Sequence, residues 1–201
     1  MNLVGLIGNA GSGKNSFAEE FHYHKFTEYS FAHALKQTCE ALFGFSDFHF
    51  TSRDYKDSDH PYWKISPRQA LQFVGTELVR ERMNRLLPEL GENFWIHRLE
   101  LQLMLDHKSR GDVRAVVTDC RFQNEVDWIL SQGGTIIHLT RPEAGGNVGI
   151  PDHKSELLAA NFRTHYPESD KILYVDNVGT LDELKIKANI IAAKLTKSLT
   201  F

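Results

Sequence analysis

Gly8, Gly11 and Gly13, followed at once by Lys14, have the spacing of a loop that holds phosphate. Glycines accept positive φ, so successive backbone N–H groups can turn inward around an anion. Lys14 adds a mobile full charge suited to the β- and γ-phosphates of a nucleoside triphosphate. The next residue in such loops is usually Ser or Thr, whose hydroxyl ligates Mg²⁺. Here it is Asn15, with Ser16 after it. An amide oxygen can bind Mg²⁺ or one of its waters. Ser16, one position further round the helix, is open to either the metal or an α-phosphate. Gly11, Gly13, Lys14, Asn15 and Ser16 are therefore the candidate residues for ATP, and Asn15 and Ser16 for the metal.

Other residues of the right type recur along the chain. Asp119 ends the apolar run Ala115, Val116, Val117 and Thr118. In open α/β sheets ligands sit beyond the carboxyl ends of the strands, so Asp119 and Arg121 project near the loop if this strand neighbours the first. Asp119 can then hold Mg²⁺ or its waters, or else cap the helix that follows. Arg68, Gln72, Gly75, Thr76 and Val79 share one face of another expected helix. An arginine at the positive end of a helix suits an anion. A glycine inside a helix costs about 1 kcal/mol, so something approaches closely there, a packed helix or a ligand. Arg141 begins a stretch rich in Gly and Pro that returns at Lys154, in the manner of a lid over phosphates or of a long solvated connection. Lys36, near the start of a helix, is either a phosphate ligand or a solvated lysine. Asn177, in a turn beyond the last strand, is placed to contact an adenine.

Residues 3–7 form a short apolar run suited to a strand buried on both faces of a parallel sheet, which would carry the loop. The spacing after Lys14 puts Phe17 and Phe21 on one helical face. Further strands are expected at 26–30, 115–119, 135–140 and 172–175. Helices are expected at 32–43, with Ala34, Leu35, Thr38 and Leu42 inward, and at 93–107, 123–131 and 155–161. Ser66, Pro67 and Gln69 spell a helix start with a capping box, running until just before Pro88, with Leu71, Val74 and Leu78 as its apolar stripe. Thr180 and Glu183 spell a second box, opening a helix with Leu184, Ala188, Ile191 and Leu195 inward. Residues 44–66 show no period and mix aromatics with charges, as a wall for a planar base or as a secondary core. The 201 residues suffice for one large α/β domain. A net charge of -3 argues against binding a nucleic-acid polymer. Two distant cysteines argue against a disulfide framework and for a reducing, cytoplasmic setting. No apolar run approaches the length that spans a membrane.

In this order the motifs resemble the deoxynucleoside monophosphate kinases of tailed bacteriophages. The carriers are the loop from Gly8 to Ser16, the helix start from Ala32 to Lys36, and Arg68 with Gly75, Thr76 and Glu77. Asp119, Cys120, Arg121 and Glu125, the run from Ile136 to Pro142, Ser155 with Glu156, and the stretch from Asn177 to Leu184 complete the set. The resemblance implies an adenylate-kinase-like fold, a three-layer α/β/α sandwich with a parallel sheet. It implies one P-loop kinase domain over 1–201, with 44–92 as the acceptor-nucleotide region and 141–156 as the lid. It also implies transfer of the γ-phosphoryl of ATP, with Mg²⁺, to a deoxynucleoside monophosphate. Lys14, Asp119, Arg121 and Arg141 would be catalytic. Lys36 and Arg68 would hold the acceptor phosphate, beside Gln72, Gly75 and Thr76. Location in the cytoplasm, the host's if phage-encoded, follows, and a homodimer is one of the states allowed. The alternatives are a small P-loop kinase for a cofactor precursor, and a non-catalytic nucleotide-binding switch.

Overall fold

A computed structural model describes residues 2–142 and 154–197. Most of the expected lid, 143–153, lies outside the described residues. The chain divides into two compact units, one built on residues 1–30 and the chain from Gln102 onward, the other on Phe31–Leu101.

The first unit is a five-stranded parallel sheet. Its strands are β1 (Asn2–Ile7), β2 (Thr27–Tyr29), β3 (Arg114–Val117), β4 (Thr135–Thr140) and β5 (Ile172–Asp176), in the order β2-β3-β1-β4-β5. β1 lies between β3 and β4, with Leu3 opposite Ala115 and Gly5 opposite Ile136. A central strand flanked on both faces must be apolar throughout, which is why its run does not alternate. Successive side chains point to opposite faces. Leu6, Ile137 and Leu139 meet Phe17 and Phe21 of α1 (Lys14–His22) and Leu184, Ala188 and Ala192 of α9 (Leu181–Lys197). On the other face, a Cβ on Gly5 would stand 2.6 Å from Ile129 of α7 (Gln123–Ser131), so that helix lies close against the sheet. Phe162 of α8 (Lys154–His165) packs there too, its ring centroid 4.9 Å from that of His138. The result is a three-layer α/β/α sandwich. The capping box at Thr180 forms: its N–H donates to Glu183 Oε2 at 2.9 Å, and Glu183 N–H donates to Thr180 Oγ1 at 3.3 Å.

The second unit has its own core of Cys39, Phe45, Phe50, Ala70, Val74, Val79 and Trp95. In α2 (His33–Phe43) the buried residue is Cys39, while Thr38 and Leu42 are exposed. Two short helices, α3 (Asp47–Thr51) and α4 (Arg53–Lys56), occupy the stretch expected to be irregular. Its aromatics divide: Phe45 and Phe50 are core, whereas Phe48, Tyr55, Tyr62 and Trp63 are exposed. The capping box at Ser66 forms, with Gln69 N–H donating to Ser66 Oγ at 3.2 Å and Ser66 N–H to Gln69 Oε1 at 2.8 Å. The helix it opens does not run on to Pro88. α5 (Pro67–Gln72) passes into a π-helical segment, Phe73–Arg80. Its i→i+5 turns hold more residues than α turns. Val79, five residues after Val74, therefore faces the core, and Leu78 is turned out, against the expected stripe. α6 (Phe94–Arg110) follows, longer than expected at its carboxyl end. No described helix is long and apolar enough to cross a membrane.

Candidate active site

The glycine-rich loop leaves the carboxyl end of β1. At Gly8 a Cβ would run into the backbone oxygen of Leu139 on β4, so the chain passes that strand closer than any side chain permits. At Gly13 φ is 98°, and a Cβ would stand 2.8 Å from both Asn177 Nδ2 and Leu184. Only glycine serves at such a position without strain. Phe17 N–H donates to Gly13 O at 3.0 Å, so α1 begins on the loop itself. Lys14 Nζ donates to Gly8 O at 2.6 Å and to Asn9 O at 2.9 Å, curling back over the loop. The Ser12 hydroxyl is 1% exposed and has no hydrogen-bond partner. A buried hydroxyl left unmatched costs free energy, and a loop that retains one is shaped around something polar. Gly11 and Asn15 are exposed and Ser16 is half-buried on the first turn of α1.

Asn177, expected against an adenine, is 6% exposed and turned to the loop. Its Nδ2 donates to Ser12 O at 3.0 Å, and its N–H to Thr140 O at 2.7 Å. It braces the loop, and its neighbours Asp176 and Val178 are exposed.

Because β3 pairs with β1, Asp119 emerges beside the loop's sheet edge, as the strand-neighbour condition required. Its Oδ2 accepts from Ser30 Oγ at 2.8 Å. The cap of α7 falls instead to Glu125, a buried carboxylate that accepts from Arg121 N–H at 2.8 Å and Phe122 N–H at 3.1 Å. The Arg121 side chain is half-buried. Between them, burial first and then the charges of Glu125 and Asp119 push the Cys120 thiol well above its usual range, so it stays protonated and is no nucleophile.

Two residues absent from the sequence-based set stand at the end of β4. A cavity of about 220 Å³ there is lined by Asn9 of the loop, His138, Arg141 and Arg163. Arg163 lies 4.4 Å over the Tyr174 ring and reaches Asp176 at 3.3 Å. It is distant from Arg141 in sequence, so no local spacing signals it. His138 is 4% exposed, and its Nδ1 has no hydrogen-bond partner. Burial, and then the Arg163 charge, hold its imidazole down to about 4, from 6.5. It is neutral near pH 7. The unfolded chain takes the proton first as pH falls, so the stabilising contribution is complete above 6.5 and is lost towards 4. Against a His138→Phe variant, whose ring still packs on Phe162 and Tyr174, the wild type should lose roughly 3 kcal/mol of unfolding free energy across that window. Denaturant unfolding at several pH values checks this, and parallel curves for the two proteins would refute it.

In the second unit Arg68 sits at the start of α5, and its Nε and Nη2 both donate to the carboxylate of Asp57, the latter at 3.3 Å. Gln72 carries a buried Oε1 without a hydrogen-bond partner. Thr76 is buried. The close approach at Gly75 is made by a packed side chain: a Cβ there would stand 2.6 Å from Leu35 Cδ2 of α2. The Gly75 carbonyl accepts from Trp95 Nε1 at 2.9 Å. Gly75 is thus a packing position, the first of the two alternatives. Lys36 lies partly exposed on the first turns of α2.

A model of the deoxynucleotide monophosphate kinase family matches residues 45–188. The chain belongs to that family. A protein of Acanthamoeba polyphaga mimivirus, provisionally named a deoxynucleotide monophosphate kinase, is 33% identical over 168 residues, 82% of this chain and 86% of that one. The deoxynucleotide monophosphate kinase of Enterobacteria phage T4 is 28% identical over 127 residues, 62% of this chain. The match spans 44% of the T4 protein's length. Among solved structures, dephospho-CoA kinase from Campylobacter jejuni superposes with a TM-score of 0.54 over 98% of both chains at 13% identity, a likeness of fold. The family match begins after the glycine-rich loop, so that loop and the matched span are two separate lines to one class, a P-loop kinase.

Proposed function

We propose that the chain transfers the γ-phosphoryl of ATP to a deoxynucleoside 5'-monophosphate, releasing the diphosphate and ADP. The observation that carries this, given the family, is the loop at the end of β1. Lys14 is folded onto the Gly8 and Asn9 carbonyl oxygens, which occupy donor directions that phosphate oxygens would take. The unmatched Ser12 hydroxyl lies in the same loop. The acceptor is itself a phosphate and a competent nucleophile, so the protein's work is positioning and charge stabilisation. Lys14, with the backbone of Gly11, Gly13 and Ser16, holds the donor phosphates. Arg121 and Arg141 clamp the transferring group, joined by Arg163. Arg68 and Lys36 hold the acceptor phosphate, and Gln72 and Thr76 face its nucleoside. Residues 44–92 act as the acceptor region and 141–156 as the lid of one kinase domain.

The donor set near the loop fits Mg²⁺. Asn15, Ser16 and Asp119 offer an amide oxygen, a hydroxyl and a single carboxylate, all hard donors. Among the described residues no group of three or more His, Cys, Asp or Glu is gathered to cage an ion. When bound, Mg²⁺ would neutralise charge developing on the phosphates.

The test is ADP release from ATP with each deoxynucleoside monophosphate in turn, with and without a chelator. Release that depends on the monophosphate and stops on chelation is expected. ADP release indifferent to every monophosphate would refute the transferase. A cofactor-precursor kinase would show itself by turning over only with a non-nucleotide acceptor.

A further inference from the structure

One edge of the Arg68 guanidinium already holds an anion. Nε and Nη2 are both engaged by the two carboxylate oxygens of Asp57. A planar guanidinium presents the same pair of parallel N–H groups to a carboxylate and to a phosphate. The guanidinium has a second edge, Nη1 with Nη2, but the Nε–Nη2 pair itself cannot serve two anions, and two anions side by side repel. The partners differ in how firmly they are held. The Arg68 side chain is 13% exposed and sits on the turn of α5 fixed by Pro67 and the Ser66–Gln69 box. Asp57 is 38% exposed and caps α4, a helix of four residues. Asp57 is the more exposed of the two, so its carboxylate is the partner that moves out towards water, while the arginine stays in place.

We propose that Asp57 is a built-in competitor for the acceptor phosphate, occupying the Arg68 fork until a phosphate dianion displaces it. This rests on the reading of Arg68 as the acceptor-phosphate residue. A dianion with three oxygens displaces a carboxylate more readily than a monoanion does, so Asp57 raises the threshold against weak anions while lowering affinity for the true acceptor. The alternative role, Asp57 as a partner that orients Arg68, has the opposite sign. An orienting residue strengthens acceptor binding, and a competitor weakens it.

The experiment compares the wild type, Asp57→Asn, Arg68→Ala and the double variant. Steady-state kinetics are run with each deoxynucleoside monophosphate, and calorimetry measures the same ligands without ATP. Asp57→Asn keeps the shape and removes the charge. It should lower the acceptor KM and Kd roughly five-fold, the worth of one partly exposed ion pair, with kcat and the KM for ATP unchanged. In the Arg68→Ala background the same change should have no effect on acceptor binding. Asp57→Ala should repeat the sign, which separates loss of charge from any new amide contact. An acceptor KM that is unchanged or raised in Asp57→Asn and Asp57→Ala, while Arg68→Ala raises it, overturns the competitor role and leaves the Arg68 assignment standing. An acceptor KM unmoved by Arg68→Ala overturns both.

Discussion

Lys14→Ala should reduce kcat/KM by a hundred- to a thousand-fold or more. That is the scale on which removal of one preorganised donor to developing transition-state charge is felt. The ammonium is the only full positive charge contributed by the loop itself, where the remaining donors are neutral backbone N–H groups and the side chains of Asn9, Ser12, Asn15 and Ser16. Its reach is visible in the bonds it makes back to Gly8 and Asn9. Those bonds are with carbonyls at the open end of the sheet, where water can replace the lysine, so the fold should survive. Lys14→Arg should not restore activity, because a planar fork cannot occupy the point position of an ammonium over the loop. Steady-state turnover beside a thermal melt reads both properties. Near-normal turnover in a folded Lys14→Ala protein would remove the loop from the chemistry.

Arg68→Ala is the second large effect, and it should be selective. A charge-assisted bidentate contact to phosphate is worth about 1.5–3 kcal/mol, so the acceptor KM should rise roughly ten- to a hundred-fold. The KM for ATP should hardly move, since the donor phosphates are assigned to Lys14 and its loop. Arg68→Lys should rescue poorly for want of the second N–H. A rise in the KM for ATP with the acceptor KM unchanged would place Arg68 at the donor side. With the fork gone, Asp57 has nothing to compete for, so adding Asp57→Asn to Arg68→Ala should leave the acceptor KM where Arg68→Ala alone puts it.

The parts that sequence alone determined are those whose partners are close along the chain. The strand, glycine turn and helix from Leu3 to Phe21 form one local unit, and its glycines, lysine and apolar run can be read without knowing what packs on it. The boxes at Ser66 and Thr180 are bonds between residues three apart, and both form where the residue types demand them. The alternation of apolar strands with helices was enough for a parallel sheet in three layers.

What tertiary structure decided are the contacts between distant segments, where several partners are chemically acceptable and geometry chooses. Asn177 could have faced solvent or a base, and it turns to Ser12 because β5 ends beside the loop. Gly75 reads alike for a ligand and for a neighbour, and Leu35 fills the space. Cys39 rather than Leu42 enters the core, and the π-helical turn brings in Val79 in place of Leu78, because burial follows the partner surface and not the ideal period. His138 looks like any strand residue until Phe162 and Tyr174 close around it and strip its ring of water. The charges follow the same rule. The sequence supplies Arg68 and Asp57 as opposite charges eleven positions apart, and only the fold, by bringing α4 back to the start of α5, makes one the occupant of the other.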